Sequence, residues 1–158
     1  MNPADILKYG HSFFLNSVAV VPIEHVNEPG ACGRWSVKDL VAHLTSYEWV
    51  LVDILENLIA PGSTPMLDAY RAAHDAFNDE QVDQRAALTL EQALAEYHEA
   101  YGRVQALLPR LPAAHWRRTG LLAWYGAEYD LEDFIVYTYY GHKREHGGQI
   151  QVFRDRFE

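Results

Sequence analysis

The sequence predicts an all-α protein, a four-helix bundle with one long crossover connection. Three observations lead there. Apolar residues recur at steps of three and four over four long stretches. Helix-start signals stand at the head of these stretches and Pro or Gly breaks close the first three. A polar, weakly periodic segment separates the second stretch from the third.

Asn2 followed by Pro3 suits an N-cap and first helical position, and Ile6, Tyr9, Phe13, Phe14 and Val18 then form a seam up to the break at Pro22. Residues 24–34, with Pro29, Gly30 and Gly33, have no regular period and are expected to be a connection. Ser36 and Asp39 stand in capping-box positions, although Asp is a shorter partner than Glu. The second seam runs Leu40, His43, Leu44, Tyr47, Val50, Leu51, Ile54 and Leu58, and stops at Pro61-Gly62.

Residues 63–88 are expected to form a long crossover that includes a short helix over 68–77. Thr89 and Gln92 repeat the capping-box pattern, and Leu90, Leu94, Tyr97, Tyr101, Val104 and Leu108 follow before Pro109 ends the third helix. Residues 111–129 carry Pro112, Gly120, Gly126, Trp116 and Trp124, which suggests an irregular covering segment with packed aromatics. Asp130 and Asp133 mark the fourth start. Leu131, Phe134, Ile135, Thr138, His142, His146, Gln149, Ile150 and Phe153 then share one seam.

With 158 residues, 49% hydrophobic and 22% charged, the chain has the size and composition of one folded domain, and a single domain over 1–158 is expected. Its net charge of −9, from 13 basic against 22 acidic residues, disfavours nucleic acid and anionic membrane as partners. Cys32 is the single cysteine, which excludes an intrachain disulfide framework and a thiolate-rich metal site. No secretory signal or spanning segment stands out, so a soluble, cytoplasmic protein is expected.

The chemistry centres on His142-Lys143-Arg144-Glu145-His146-Gly147-Gly148-Gln149. On a helix, histidines four apart stand one above the other, about 6 Å apart along the axis, and can grip one metal ion. Such centres need three or four protein ligands. His43, on the inward seam of the second helix, is the candidate third. Buried imidazoles require partners for their nitrogens, and a metal ion supplies one to each ring; hydroxyls or carbonyls bonded to three separate histidines would serve equally. His11, His25, His74, His98 and His115 are expected to be solvated or locally bonded. Tyr47, one turn beyond His43, and Gln149 are candidates to orient a substrate, beside plainer roles as a seam tyrosine and an inter-helix amide. Glu145 lies about 100° around the helix from His146, which suits a solvated role or one supporting a ligand histidine. No catalytic residue is singled out.

Trp35-Ser36-Val37-Lys38-Asp39-Leu40-Val41-Ala42-His43-Leu44, together with the stretch from His142 to Ile150, resembles the DinB-like superfamily of metal-binding four-helix proteins. The resemblance covers most of the chain. It implies that His43, His142 and His146 hold a divalent ion, commonly zinc or nickel, with an open coordination place. It also implies a homodimer and metal-dependent transfer of a low-molecular-weight thiol such as bacillithiol or mycothiol to a small electrophile, or related isomerase chemistry. The other class in play is a small-molecule-binding or stress-response module whose metal only ties helices together.

Other chemistries fit less well. His142–His146 matches the H-x-x-E-H pattern of one metalloprotease group, but that group needs a further acidic ligand well downstream and a larger scaffold. A di-iron carboxylate site needs E-x-x-H pairs on two helices, and none is found. Cys32 has no histidine near it in sequence, so an ordinary thiol is expected rather than a nucleophile.

Overall fold

Helix signals of the sequence translate directly into structure in the computed structural model, which describes residues 2–158. The fold is all-α: among the described residues the only β pairing is an isolated bridge between Cys32 and Trp35. The elements are α1 (Pro3–Ala19), α2 (Val37–Ile59), α3 (Pro65–Ala73), α4 (Ala76–Gln84), α5 (Leu90–Leu107), α6 (Leu131–Ile135) and α7 (His142–Arg154), with a π-helical stretch, Val136–Gly141, joining the last two. The chain divides into two compact units.

The first unit comprises the chain through Val21 and Leu111–Glu158. Asn2 caps α1 by accepting from Ala4 N, as its position before Pro3 requires. The buried face of α1 is Leu7, Gly10, His11, Phe14, Ser17 and Val18. This corrects the expected seam, because Tyr9 is 67% exposed and Ile6 only half-buried. The reason is a close helix approach: Gly10 faces Tyr140 and Lys143, and a Cβ there would lie 3.3 Å from the Tyr140 ring. On the opposite helix, Gly147 receives Phe13. A Cβ at Gly147 would stand 2.5 Å from Phe13 Cε1 and 3.1 Å from Ser17 Oγ. Ser17 in turn accepts from Gln151 Nε2, tying α7 to α1.

Asp130 and Asp133 form the capping box that starts α6, as expected. Exposed Arg117 reaches back to both Asp130 and buried Glu132. The covering segment does use its aromatics for packing, since Trp124 and Tyr125 meet Phe134 at 5.8 and 4.8 Å between ring centroids.

The second unit is Pro22–Arg110. Ser36 and Asp39 form the capping box of α2, and Thr89 and Gln92 that of α5. Nearly all of α2 from Leu40 to Leu55 is buried, polar residues included. Its hydroxyls are satisfied within the helix, Thr45 donating to the Val41 carbonyl and Ser46 to that of His43. Buried Asp53 accepts from Met66 N and Leu67 N, so α2 supplies the N-terminal cap that Thr64 does not give α3.

The crossover differs from expectation. Two helices occupy it, broken at His74, whose φ of 46° lies where a residue with a Cβ is strained. Arg85, just past α4, holds Glu96 of α5 through two 2.9 Å bonds and donates to both the carbonyl and the side chain of Gln81. Trp49 Nε1 of α2 donates to the same carboxylate. Burial pushes the Glu96 carboxyl up, but the bonds and charge of Arg85, with the Trp49 bond, outweigh this and leave it below its usual value. Among the described residues no helix is long and apolar enough to cross a membrane.

Two outcomes follow from this packing. Gly147→Ala overpacks the contact with Phe13 and is expected to destabilise by about 1–3 kcal/mol. Gly148→Ala, whose Cβ meets nothing within 4 Å, is expected to be neutral or to stabilise by up to about 1 kcal/mol. Denaturant melts of the two variants check both. Glu96 has a lowered native pKa, so the unfolded chain takes up its proton first as the pH falls. Its contribution is complete above the unfolded value of about 4.3 and is lost as the pH drops through the lower native one. Glu96→Gln should therefore melt below the parent at pH 7, and the gap should close in acid.

Candidate metal centre

The π-helical stretch leads directly into His142, the first residue of α7. A π-turn accommodates one more residue than an α-turn, which rephases everything after it. His142 and His146 then follow with regular α spacing, half-buried and buried respectively. Their Nε2 atoms lie 2.8 Å apart and their ring centroids 4.6 Å apart.

Each ring is held from behind. His146 Nδ1 is 2.8 Å from Gln149 Oε1, which only accepts, so the proton sits on Nδ1 and the Nε2 lone pair is left toward His142. His142 hydrogen-bonds the Thr138 backbone, a residue of the π stretch. Burial drives the His142 pKa down to about 3, with the neighbouring His146 and Lys143 lowering it further and the Thr138 bond opposing them. Burial likewise lowers His146, against the Gln149 bond and the charge of Glu145. Both rings are therefore neutral at pH 7, the protonation state in which imidazole binds a metal.

His43 lies in the middle of the buried face of α2 in the second unit, 2% exposed. Trp35 packs on one side of its ring at 4.8 Å and Tyr47 meets it edge-on at 5.0 Å. Tyr47 donates its hydroxyl to Asn78 Oδ1 at 3.2 Å, and burial together with Tyr70 pushes its pKa up to about 12, so it stays a neutral phenol.

The other candidates are dispersed. Glu145 is exposed. Cys32 is a thiol within a tight backbone turn, its N–H and carbonyl both bonded to Trp35. His25 bonds Glu28 at 2.7 Å, and His74 and His98 are exposed. His11 departs from the expected surface position, being only 7% exposed on the inner face of α1.

Several buried polar residues carried no sequence signal. Lys143, between the two histidines, is buried in the first unit, and Glu48 is wholly buried in the second. Glu48 makes itself felt on α5: Tyr97 is pushed well above its usual pKa and Tyr101 to about 12, in each case by burial first and by the Glu48 charge second. Trp35 was visible in the motif but its ring contact was not, because it lies before the helix whose periodicity was legible.

Residues 8–132 match the family of the mycothiol maleylpyruvate isomerase N-terminal domain. The matched span includes His43 and ends before His142 and His146, so the pair on α7 rests on its own geometry. No curated protein and no solved structure matches the chain. With most of its length matched, the chain belongs to the mycothiol maleylpyruvate isomerase N-terminal domain family, within the DinB-like superfamily.

Proposed function

We propose that the protein binds a divalent metal ion, zinc or nickel, through His43, His142 and His146, and uses it to present a low-molecular-weight thiol to a small electrophile, as a thiol transferase or related isomerase. The observation that carries the reading is the His142–His146 pair, two neutral imidazoles that turn their Nε2 atoms to one point. All three histidines offer one ligand nitrogen each. Family membership supports the thiol, since the family is named for a mycothiol maleylpyruvate isomerase.

The donor set fits such an ion. Three imidazoles suit zinc and nickel, and they leave a coordination place for an exogenous ligand. An ion there would be held by the Nε2 atoms of His142 and His146, which already converge at 2.8 Å, together with one nitrogen of His43. When bound, the ion supplies the Lewis acidity that lowers the pKa of a thiol, so that thiolate is available at neutral pH.

The chain's own residues do the rest. Gln149 keeps the His146 proton on Nδ1, and its amide N–H is available to orient a substrate. The Thr138 backbone fixes His142. Tyr47, a neutral phenol donating to Asn78, is the second residue assigned to orient a substrate. The nucleophile arrives with the thiol rather than from a side chain.

Elemental analysis of untagged protein after incubation with zinc or nickel is expected to find about one equivalent, falling below roughly a tenth in His142→Ala and in His43→Ala. Retention of the metal by both variants would sink the assignment. Loaded protein should consume a mycothiol-type thiol with an electrophilic acceptor over many turnovers, and chelator should stop it. Stoichiometric capture of the small molecule without turnover would instead assign the binding-module role.

A further inference from the structure

The contacts of His43 within the second unit point past the ligand itself to what holds it. Trp35 and Tyr47 both meet its imidazole, at 4.8 Å with planes inclined by 40° and at 5.0 Å with planes inclined by 67°. Trp35 Nε1 is buried without a hydrogen-bond partner among the described residues, so its contribution to the ring is packing rather than a directed bond.

Both aromatics are anchored from elsewhere. The Trp35 carbonyl accepts from Gly30 N, Ala31 N and Cys32 N, and its N–H donates to the Cys32 carbonyl. This tight loop needs the positive φ of Gly30 and Gly33, 109° and 56°. Tyr47 is anchored by the crossover helices. Its ring meets Tyr70 of α3 at 5.7 Å and Phe77 of α4 at 6.1 Å, those two rings meet each other at 5.3 Å, and Asn78 takes its hydroxyl proton. The connection before α2 and the crossover after it thus converge on one side chain.

We infer that Trp35 and Tyr47 are positioning residues, an aromatic clamp that fixes the ring plane of His43 for metal ligation and is backed by Tyr70, Phe77 and Asn78. The inference rests on the proposed ligand role of His43. An imidazole with a free χ2 must be frozen when it binds a metal, and a ring already held by packing is not. Freezing one side chain costs about 0.5–1.5 kcal/mol, so losing a packing support of this kind weakens binding roughly 2–10-fold. Because the hold is by ring contact, an aromatic substitute should preserve it while a truncated side chain should not.

The test measures zinc affinity by competition with a chromophoric chelator for the parent, Trp35→Ala, Trp35→Phe, Tyr47→Ala, Tyr47→Phe and His43→Ala. The Ala variants at 35 and 47 are expected to bind roughly 2–10-fold more weakly, with both Phe variants restored to near the parent value. Parent-like affinity in both Ala variants, while His43→Ala loses the metal, would overturn the clamp and leave the metal reading standing. Parent-like affinity in His43→Ala overturns the ligand role of His43, and the clamp's purpose with it. Circular dichroism melts of the metal-free variants separate loss of fold from loss of the clamp. If an Ala variant does not fold, the metal-free parent still decides. Its His43 ring protons are expected to show a ring-current-displaced NMR resonance that moves in Trp35→Phe, and a resonance at the unstructured position would refute the clamp.

Discussion

A buried imidazole must be neutral and must have its nitrogens engaged, and much of the structure around α7 answers that requirement. Desolvation removes the proton from His142 and lowers His146, and two bonds from behind, from Thr138 and Gln149, decide how each ring is held. Each support lies within four residues of the ring it holds, on the same helix. The bonds that hold the pair are therefore local to α7 and the π stretch before it, while its neutrality comes from burial by the rest of the unit.

The same principle separates what periodicity could reveal from what it could not. Capping boxes at Ser36/Asp39, Thr89/Gln92 and Asp130/Asp133 were legible because they are short-range chemistry between named residue types. The inward placement of His43 and His146 was legible because both share a seam with Leu, Ile and Phe. The burial of Glu48, Asp53 and Lys143 was not, since a charged residue reads as surface until its surroundings are known. Asp53 illustrates the point: its role as a cap for α3 depends on a helix start thirteen residues away.

Backbone irregularities were equally hidden. The π stretch at Val136–Gly141 and the strained break at His74 have no compositional mark, because neither contains a proline at the irregular residue. Yet each stands beside a residue of interest. The first sets the phase of His142, and the second separates Tyr70 from Phe77, the two rings that back Tyr47. The expected seam of α1 held at Phe14 and Val18 and erred at Tyr9, for a related reason. Apolar periodicity gave Tyr9 the inner face, whereas Gly10 and His11 hold it, because close approach of the Tyr140 ring demands a residue without a side chain.

The two glycine notches at the α1 contact have a consequence for how this sequence can drift. Gly10 makes room for Tyr140 of the π stretch, and Gly147 of α7 for Phe13 of α1, so each glycine is conditional on a bulky residue of the segment packed against it. A methyl at 147 becomes admissible only after the residue at 13 has shrunk, and a mutation at 13 alone leaves a void beside Ser17. The two positions are thus expected to change together or not at all across descendants of this chain. Since 147 directly follows a proposed ligand, that coupling ties the size of one α1 side chain to the history of the histidine pair.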